Sequence, residues 1–293
     1  MFRTPNQQNW LFLSLIALLI TLLAGCAAKR QLWGDPKSGL ILEYRLPEDK
    51  SLNYCFSSEM TQNMEVMGQS IENLVDVDIY FGAKSKAVEN GNFDLQITVD
   101  SASTTMQTPR GDLSPDMNAI SGKQFQLLLS PLGKELALNG ADELTYEIQG
   151  GKRSLASNFQ TIFPDLAGKP VKVGDSWTTH DTINVNEGDT NLQMTFVSEN
   201  TLAGLEIIDG HECAKITGTS IGKLTGTGSE RGANLAFAGD IKSSDVWYFA
   251  YKEGFFMRSL SDATTESIVT VSGPTDMEIP MTMKTKFDIK LAE

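Results

Sequence analysis

Two histidines, His180 and His211, are the whole supply of imidazole for proton transfer or metal ligation in a chain of 293 residues. Neither has a second histidine or a cysteine pair at ligand spacing. His211-Glu212-Cys213 offers nitrogen, oxygen and sulfur donors in succession, but consecutive strand residues point to opposite faces and do not converge on one ion. Gly174-Asp175-Ser176 invites comparison with a nucleophile elbow. Thr178 stands where that motif needs its second glycine, and a strand pattern follows where it needs a helix. A Gly174-Asp175 turn followed by a strand that buries the Trp177 ring is the reading these residues support. Carboxylates are abundant, 37 in all, without the recognisable spacing of a glycosidase pair. The sequence therefore assigns no catalytic residue, no metal site and no cofactor, and a hydrolase is a remote alternative.

Softer chemistry is carried by cysteine and methionine. Cys55 and Cys213 both fall in strand patterns and form a candidate disulfide pair, with two buried thiols as the alternative. Methionines gather at Met60, Met64 and Met67 and again at Met277, Met281 and Met283. Thioethers suit Cu(I), or an adaptable apolar groove for acyl chains, or ordinary core packing. Met277, Ile279, Met281 and Met283 share one face of a strand, as a core also requires.

The third cysteine, Cys26, has a specific setting. One cation, Arg3, precedes an apolar run from Trp10 to Leu23, and Leu11 to Leu23 is thirteen residues, short of the roughly 20 that a permanent bilayer helix needs. This is the pattern of a cleaved signal segment. The run closes with Leu23-Ala24-Gly25-Cys26, which resembles the lipobox of bacterial lipoproteins. The resemblance implies cleavage between Gly25 and Cys26, two or three acyl chains on Cys26, and stable attachment of the chain to a membrane of the bacterial envelope. Ala27 stands where an aspartate would favour the inner membrane, so by the same resemblance the outer membrane is the expected address. Removing residues 1–25 leaves 23 Lys and Arg against 37 Asp and Glu, a formal charge of −14. Nucleic acid and anionic lipid head groups are poor partners for that surface.

The elements behind these residues read as β. Residues 26–39 form a tether rich in turn formers, and a strand pattern opens at Leu40 to Leu46. Leu52, Tyr54 and Phe56 alternate with polar neighbours, as do Val75, Val77, Ile79 and Phe81, and Phe93, Leu95, Ile97 and Val99. Gly68, Asn90-Gly91 and the 109–115 stretch separate such runs, so the connections are short and the sheet antiparallel. From Ser154 to Phe163 the period changes. Leu155, Phe159, Ile162 and Phe163 are spaced i, i+4, i+7 and i+8 and Pro164 follows, which predicts an amphipathic helix of about three turns. The flanking halves echo one another: Ser51-Leu52-Asn53-Tyr54 corresponds to Ser176-Trp177-Thr178-Thr179, and the hairpin around Gly133 to that around Gly254. The expected fold is mainly β, with two related units of curved antiparallel sheet at 40–150 and 167–293 joined by a linking helix at 151–166.

Ile162-Phe163-Pro164, Lys169-Pro170-Val171 and Gly174-Asp175-Ser176-Trp177 together resemble an uncharacterised family of secreted and lipid-anchored bacterial proteins with an FPxxxxxPVxxGDxW segment. That family carries no established activity. The resemblance implies curved sheets similar to those of periplasmic lipoprotein carriers. The function expected is a non-enzymatic envelope protein that binds an apolar ligand such as an acyl chain in a groove, with recruitment of an envelope protein as the alternative.

Overall fold

The computed structural model describes residues 33–148, 151–230, 232–273 and 276–292. Cys26, Gly25 and the signal segment lie outside the described residues. A two-residue hairpin, β1 Gly34–Asp35 with β2 Gly39–Leu40, opens the described chain. The first half then supplies β3 Ser51–Val66, β4 Gln69–Glu89, β5 Asn92–Thr108, β6 Gly111–Leu113, β7 Gln124–Leu129 and β8 Glu135–Asn139. A small hairpin follows, β9 Thr145–Ile148 with β10 Gly151–Ser154. The second half supplies β11 Ser176–Glu187, β12 Thr190–Ile208, β13 His211–Glu230, β14 Ala233–Ala250, β15 Phe255–Ser272 and β16 Met277–Ala292.

These strands make one curved antiparallel sheet in the order β11-β12-β13-β14-β15-β16-β3-β4-β5-β7-β8, with β6 on β5. Each half is a meander, and the halves meet where β16 pairs with β3. The first half has three long strands, β3, β4 and β5, and the second has six. Asn90-Gly91 turns β4 into β5 and Asp209-Gly210 turns β12 into β13, each with positive φ at both residues. That backbone matches the twist of paired strands, which is why Asn-Gly and Asp-Gly make such turns.

The core lies at one end of the long strands. Extra residues interrupt the register at this end, Lys86 in β4, Asp100 in β5, Leu136 in β8, Ala203 in β12 and Met257 in β15, where they tighten the twist and curl the sheet. The curl encloses two segments that are not part of the sheet. Leu40, Leu42, Tyr44 and Leu46 alternate inward, as the sequence predicts, and all are at most 3% exposed. Most of this run is not a strand: its amides reach Val171, Pro131 and Gly254 carbonyls on separate loops. Tyr54 stacks between Phe81 at 5.4 Å and Phe256 at 5.8 Å, and its hydroxyl donates to the Phe256 carbonyl at 3.0 Å.

The expected linking helix is not formed. Residues 151–154 belong to β10, and only a single 3-10 turn, Ala156–Phe159, follows. Leu155, Phe159, Ile162 and Phe163 are nevertheless all buried, so the spacing identified the inward residues and misidentified the backbone. The reason is tertiary. Leu155 N–H donates to the Leu144 carbonyl at 2.9 Å and Phe163 N–H to Glu135 Oε1 at 2.9 Å, which ties both ends of the segment to distant partners, and Ser154 Oγ accepts from Ala156 N–H at 3.1 Å to hold the short turn. Phe159 instead plugs the curl edge-on against Phe81 and Phe125, at 5.3 and 4.9 Å.

Candidate functional site

Beyond the core end, the long strands continue, and their alternation sorts side chains onto an inner face and an outer one. Strand register places Phe196, Gly222, Ile241, Thr265, Met283 and Gln62 in one inner row. The next row outward reads Ile183, Met194, Leu224, Gly239, Ser267, Met281, Met64 and Ile71. Leu192, Phe237, Val269 and Ile279 lie beyond it, and Met277 further still, while Met60 and Met106 flank Val75 on the side of the first half. Leu224, Ile241, Val269 and Met281 on the central strands are buried, yet they stand apart from the main core cluster. Phe196, Met194, Met60, Met64, Met106 and Met283 on either side are half-buried. The result is a trough with an apolar floor and half-exposed apolar walls.

Two local devices shape it. Gly222 and Gly226 on β13 leave room for neighbours to lie flat on the floor: a Cβ at Gly222 would meet the Phe196 ring at 2.8 Å, and one at Gly226 the Leu192 side chain at 2.6 Å. On the other side, Asn73 donates to Gln62 Oε1 at 3.0 Å and Gln62 Nε2 donates to Met281 Sδ at 3.0 Å. This short chain satisfies the amides within an apolar surface. Between trough and core runs a polar band. Ser198 and Ser220 hydroxyls meet at 2.7 Å, Asn200 donates to Thr179 Oγ1 at 3.3 Å and Ser243 to Asp245 at 3.2 Å. Burial pushes the Asp245 carboxyl up from its ordinary value, against hydrogen bonds from Ser261, Ser243 and Ser220.

The outer face is different in kind. One outer row reads His180, Val197, Ile221, Lys242, Thr264, Lys284 and Thr61, and the next Thr182, Thr195, Lys223, Asp240, Glu266, Thr282 and Asn63. A shallow depression of about 690 Å³ crosses these rows, with the Lys223–Asp240 ion pair in its wall. A barrel embedded in lipid is apolar outside and polar inside. This sheet has the opposite facing, which suits an aqueous exterior and an apolar interior. Among the described residues no helix is long and apolar enough to cross a membrane.

A charged cluster joins the two edge strands at the core end. Lys134, in the turn before β8, donates to the His180 carbonyl at 2.6 Å and pairs with Asp181 on β11 at 3.0 Å and with Asp165 at 3.4 Å. Gln160 meets the backbone of Asn184 on β11 with both ends of its amide, at 2.7 and 2.8 Å. Burial, then the charge of Asp181, pushes the Asp165 carboxyl up to about 6, with Lys134 opposing. Burial lifts the adjacent Glu135 well above the ordinary carboxylate range, against the hydrogen bond from Phe163 N–H. The cluster ties the two edges of the sheet together and acts as a clasp.

The sequence-selected residues separate cleanly. Cys55 and Cys213 are free buried thiols, not a disulfide. Cys213 belongs to the core cluster on β13, whereas Cys55 lies outside it on β3 beside Tyr80, with β14, β15 and β16 between them. Their spacing along the sheet, four strand intervals of about 4.8 Å, is too wide for a bridge. His180 is exposed, and His211 Nδ1 faces Glu253 at 3.4 Å with its ring edge-on to Phe255. No cluster of His, Cys, Asp or Glu among the described residues is arranged to hold a metal. Asp175 accepts from Lys172 N–H at 2.8 Å, closing the turn, and Ser176 Oγ meets only Thr201 Oγ1, at 2.8 Å. Trp177 is buried, with its Nε1 donating to the Asp165 carbonyl at 3.3 Å and its ring edge-on to Trp247 at 6.1 Å. The two methionine clusters, far apart in sequence, are brought together: Met64 pairs directly with Met281. Met106, Met194 and Phe196 join the same surface. Their inward alternation was the available signal, and strand register, which sequence does not state, decides that they meet.

Comparison with known proteins gives likeness only. No known protein family matches the chain, and no curated protein matches it. The hypothetical lipoprotein YmcC from Escherichia coli is similar over 97% of each chain, with 13% identity and a TM-score of 0.23. An outer membrane channel from Pseudomonas putida F1 is similar over 85% of this chain and 97% of its own, with 9% identity and a TM-score of 0.25. OccK2 (OpdF) from Pseudomonas aeruginosa covers 84% of this chain and 99% of its own, with 5% identity and a TM-score of 0.27. Scores this low leave the role of the chain to be argued from its own residues.

Proposed function

We propose that this chain is a non-enzymatic, lipid-anchored protein of the bacterial envelope whose trough holds acyl chains. The observation that carries the reading is the facing of the sheet: half-exposed methionine, leucine and phenylalanine inside, threonine, lysine and carboxylate outside. A contiguous half-exposed apolar surface in water marks a binding site. Thioether side chains conform to flexible chains better than branched ones do. Each methylene taken from water into such a trough contributes about 0.8 kcal/mol. The polar band around Asp245 sets the inner limit of the site, since an alkyl chain placed against it would strand buried polar groups.

The anchor is proposed on the Leu23-Ala24-Gly25-Cys26 motif, with the outer membrane as the favoured address. Metabolic labelling with an alkyne-tagged fatty acid tests it: label is expected on the wild-type chain and absent from Cys26→Ser, and equal labelling of both removes the anchor. For the trough, the body with Cys26 replaced is expected to bind a fluorescent fatty acid saturably. Absence of saturable binding would count against the acyl reading.

A further inference from the structure

We propose that the thioethers of the trough are an oxidation site, at which hydrogen peroxide converts methionine to its sulfoxide and turns the apolar face polar. The site itself stands on the placement of the methionines; the consequence for acyl chains rests on the proposed function above.

Ten of the chain's 11 methionines lie among the described residues, and their surroundings fall into three groups. Met117 and Met257 sit in the core at 5% and 3% exposure, and Met67 is 84% exposed at the tip of the β3–β4 turn. Met60, Met64, Met106, Met194, Met277 and Met283 are half-buried on the inner face, with Met281 at 8% between them. Oxidation of a thioether requires the oxidant to reach sulfur, so these groups differ in rate by access. The sulfur gives an electron pair to one peroxide oxygen, the S–O bond forms as the O–O bond breaks, and the second oxygen leaves as water. Sulfur is oxidised by two electrons and the peroxide reduced by two.

The product is a strong hydrogen-bond acceptor on a surface with few donors. Gln62 Nε2 is one donor in reach and is already directed at Met281 Sδ, so Met281 is both less exposed and partly shielded. An acyl chain laid over sulfoxides would desolvate them without a partner. The step is reversible, because methionine sulfoxide is a substrate for sulfoxide reductases.

The test uses the full-length chain in lipid nanodiscs, titrated with hydrogen peroxide and read by peptide mass spectrometry, with a photoactivatable palmitate as the acyl probe. Met67 and the half-buried trough residues Met60, Met64 and Met194 are expected to convert at doses at least about tenfold below those for Met117 and Met257, with Met281 between them. Cross-linking of the probe to trough peptides is expected to fall about tenfold after oxidation, the equivalent of one or two unpaired polar groups. Sulfoxide reductases should restore it, and the combined Met60→Leu, Met64→Leu, Met194→Leu and Met283→Leu variant, close in volume but expected to cross-link less than wild type before treatment because branched side chains conform less well, should lose a smaller fraction of its own untreated cross-linking after oxidant. Conversion of the trough methionines only together with Met117 and Met257 would overturn the site. Loss of cross-linking by the leucine variant to the same degree as wild type would overturn the switch. If the untreated chain does not cross-link in the trough, the acyl reading fails, and the order of conversion still decides whether the oxidation site exists.

Discussion

Met64 on β3 lies directly opposite Met281 on β16, across the pairing that joins the two halves of the sheet. More than two hundred residues of chain separate them, and each belongs to a different methionine cluster. Their meeting makes one surface of what the sequence presents as two, and that surface is the inner wall of a trough whose outer side is polar.

The β3–β4 turn is predicted to be improvable. Met67 holds a φ of 53° ahead of Gly68 at 77°, the geometry that Asn-Gly satisfies at 90–91. A left-handed conformation costs a non-glycine residue roughly 1 kcal/mol, less for asparagine. Met67→Asn is expected to raise stability by up to about 1 kcal/mol, read as a higher denaturant midpoint with an unchanged slope; a lower midpoint would contradict the turn assignment.

The clasp makes stability depend on pH in a defined direction. Asp165 titrates at about 6 in the folded chain and Glu135 higher than usual, whereas both ionise near about 4 when unfolded. Between those values the folded chain holds more protons, so this contribution is fully present at or below pH about 4 and is lost as pH rises through 6 and beyond. Denaturant midpoints of wild type and the Glu135→Gln, Asp165→Asn double variant should diverge as pH rises from 4 to 7, the variant falling less. Parallel curves would show that burial of these carboxyls is not felt.

Trp177 is predicted to be a structural residue. It is buried, edge-on to Trp247, and hydrogen-bonded to the Asp165 carbonyl. Trp177→Ala is expected to cost about 3–5 kcal/mol, while Ser176→Ala, which removes only a contact with Thr201, should cost less than about 1 kcal/mol. A Ser176→Ala variant as unstable as Trp177→Ala would contradict the turn-and-strand account of this segment.

The inner face of the sheet was legible in the sequence and its closure was not. Period-two alternation named Leu52, Tyr54, Phe56, Ile79 and Phe81 as one-sided, and all are buried. The same logic named Leu155, Phe159, Ile162 and Phe163 as inward, yet called them a helix, because helix spacing describes which residues face a core without saying where backbone donors go. Phe163 N–H goes to Glu135, a partner 28 positions away, and no local pattern contains that. Cys55 and Cys213 illustrate the same limit: alternation placed both in strands, while the order of strands in the sheet sets them apart. The trough is the clearest case. Single strands show methionine and phenylalanine at alternate positions, and only the register among β12, β16, β3 and β5 brings Met194, Met283, Met60 and Met106 onto one face.

The central claim is that acyl chains occupy the inner face, and the most direct measurement is where a photoactivatable fatty acid attaches. Cross-links are expected on peptides containing Met60 to Val66, Leu192 to Phe196 and Met277 to Met283, competed by unlabelled fatty acid. They should be lost from Met194→Lys, which puts a charge on the wall, while that variant keeps its folded circular dichroism. Cross-links confined to the outer rows around Ile221 and Lys242, or unchanged in Met194→Lys, would contradict the account.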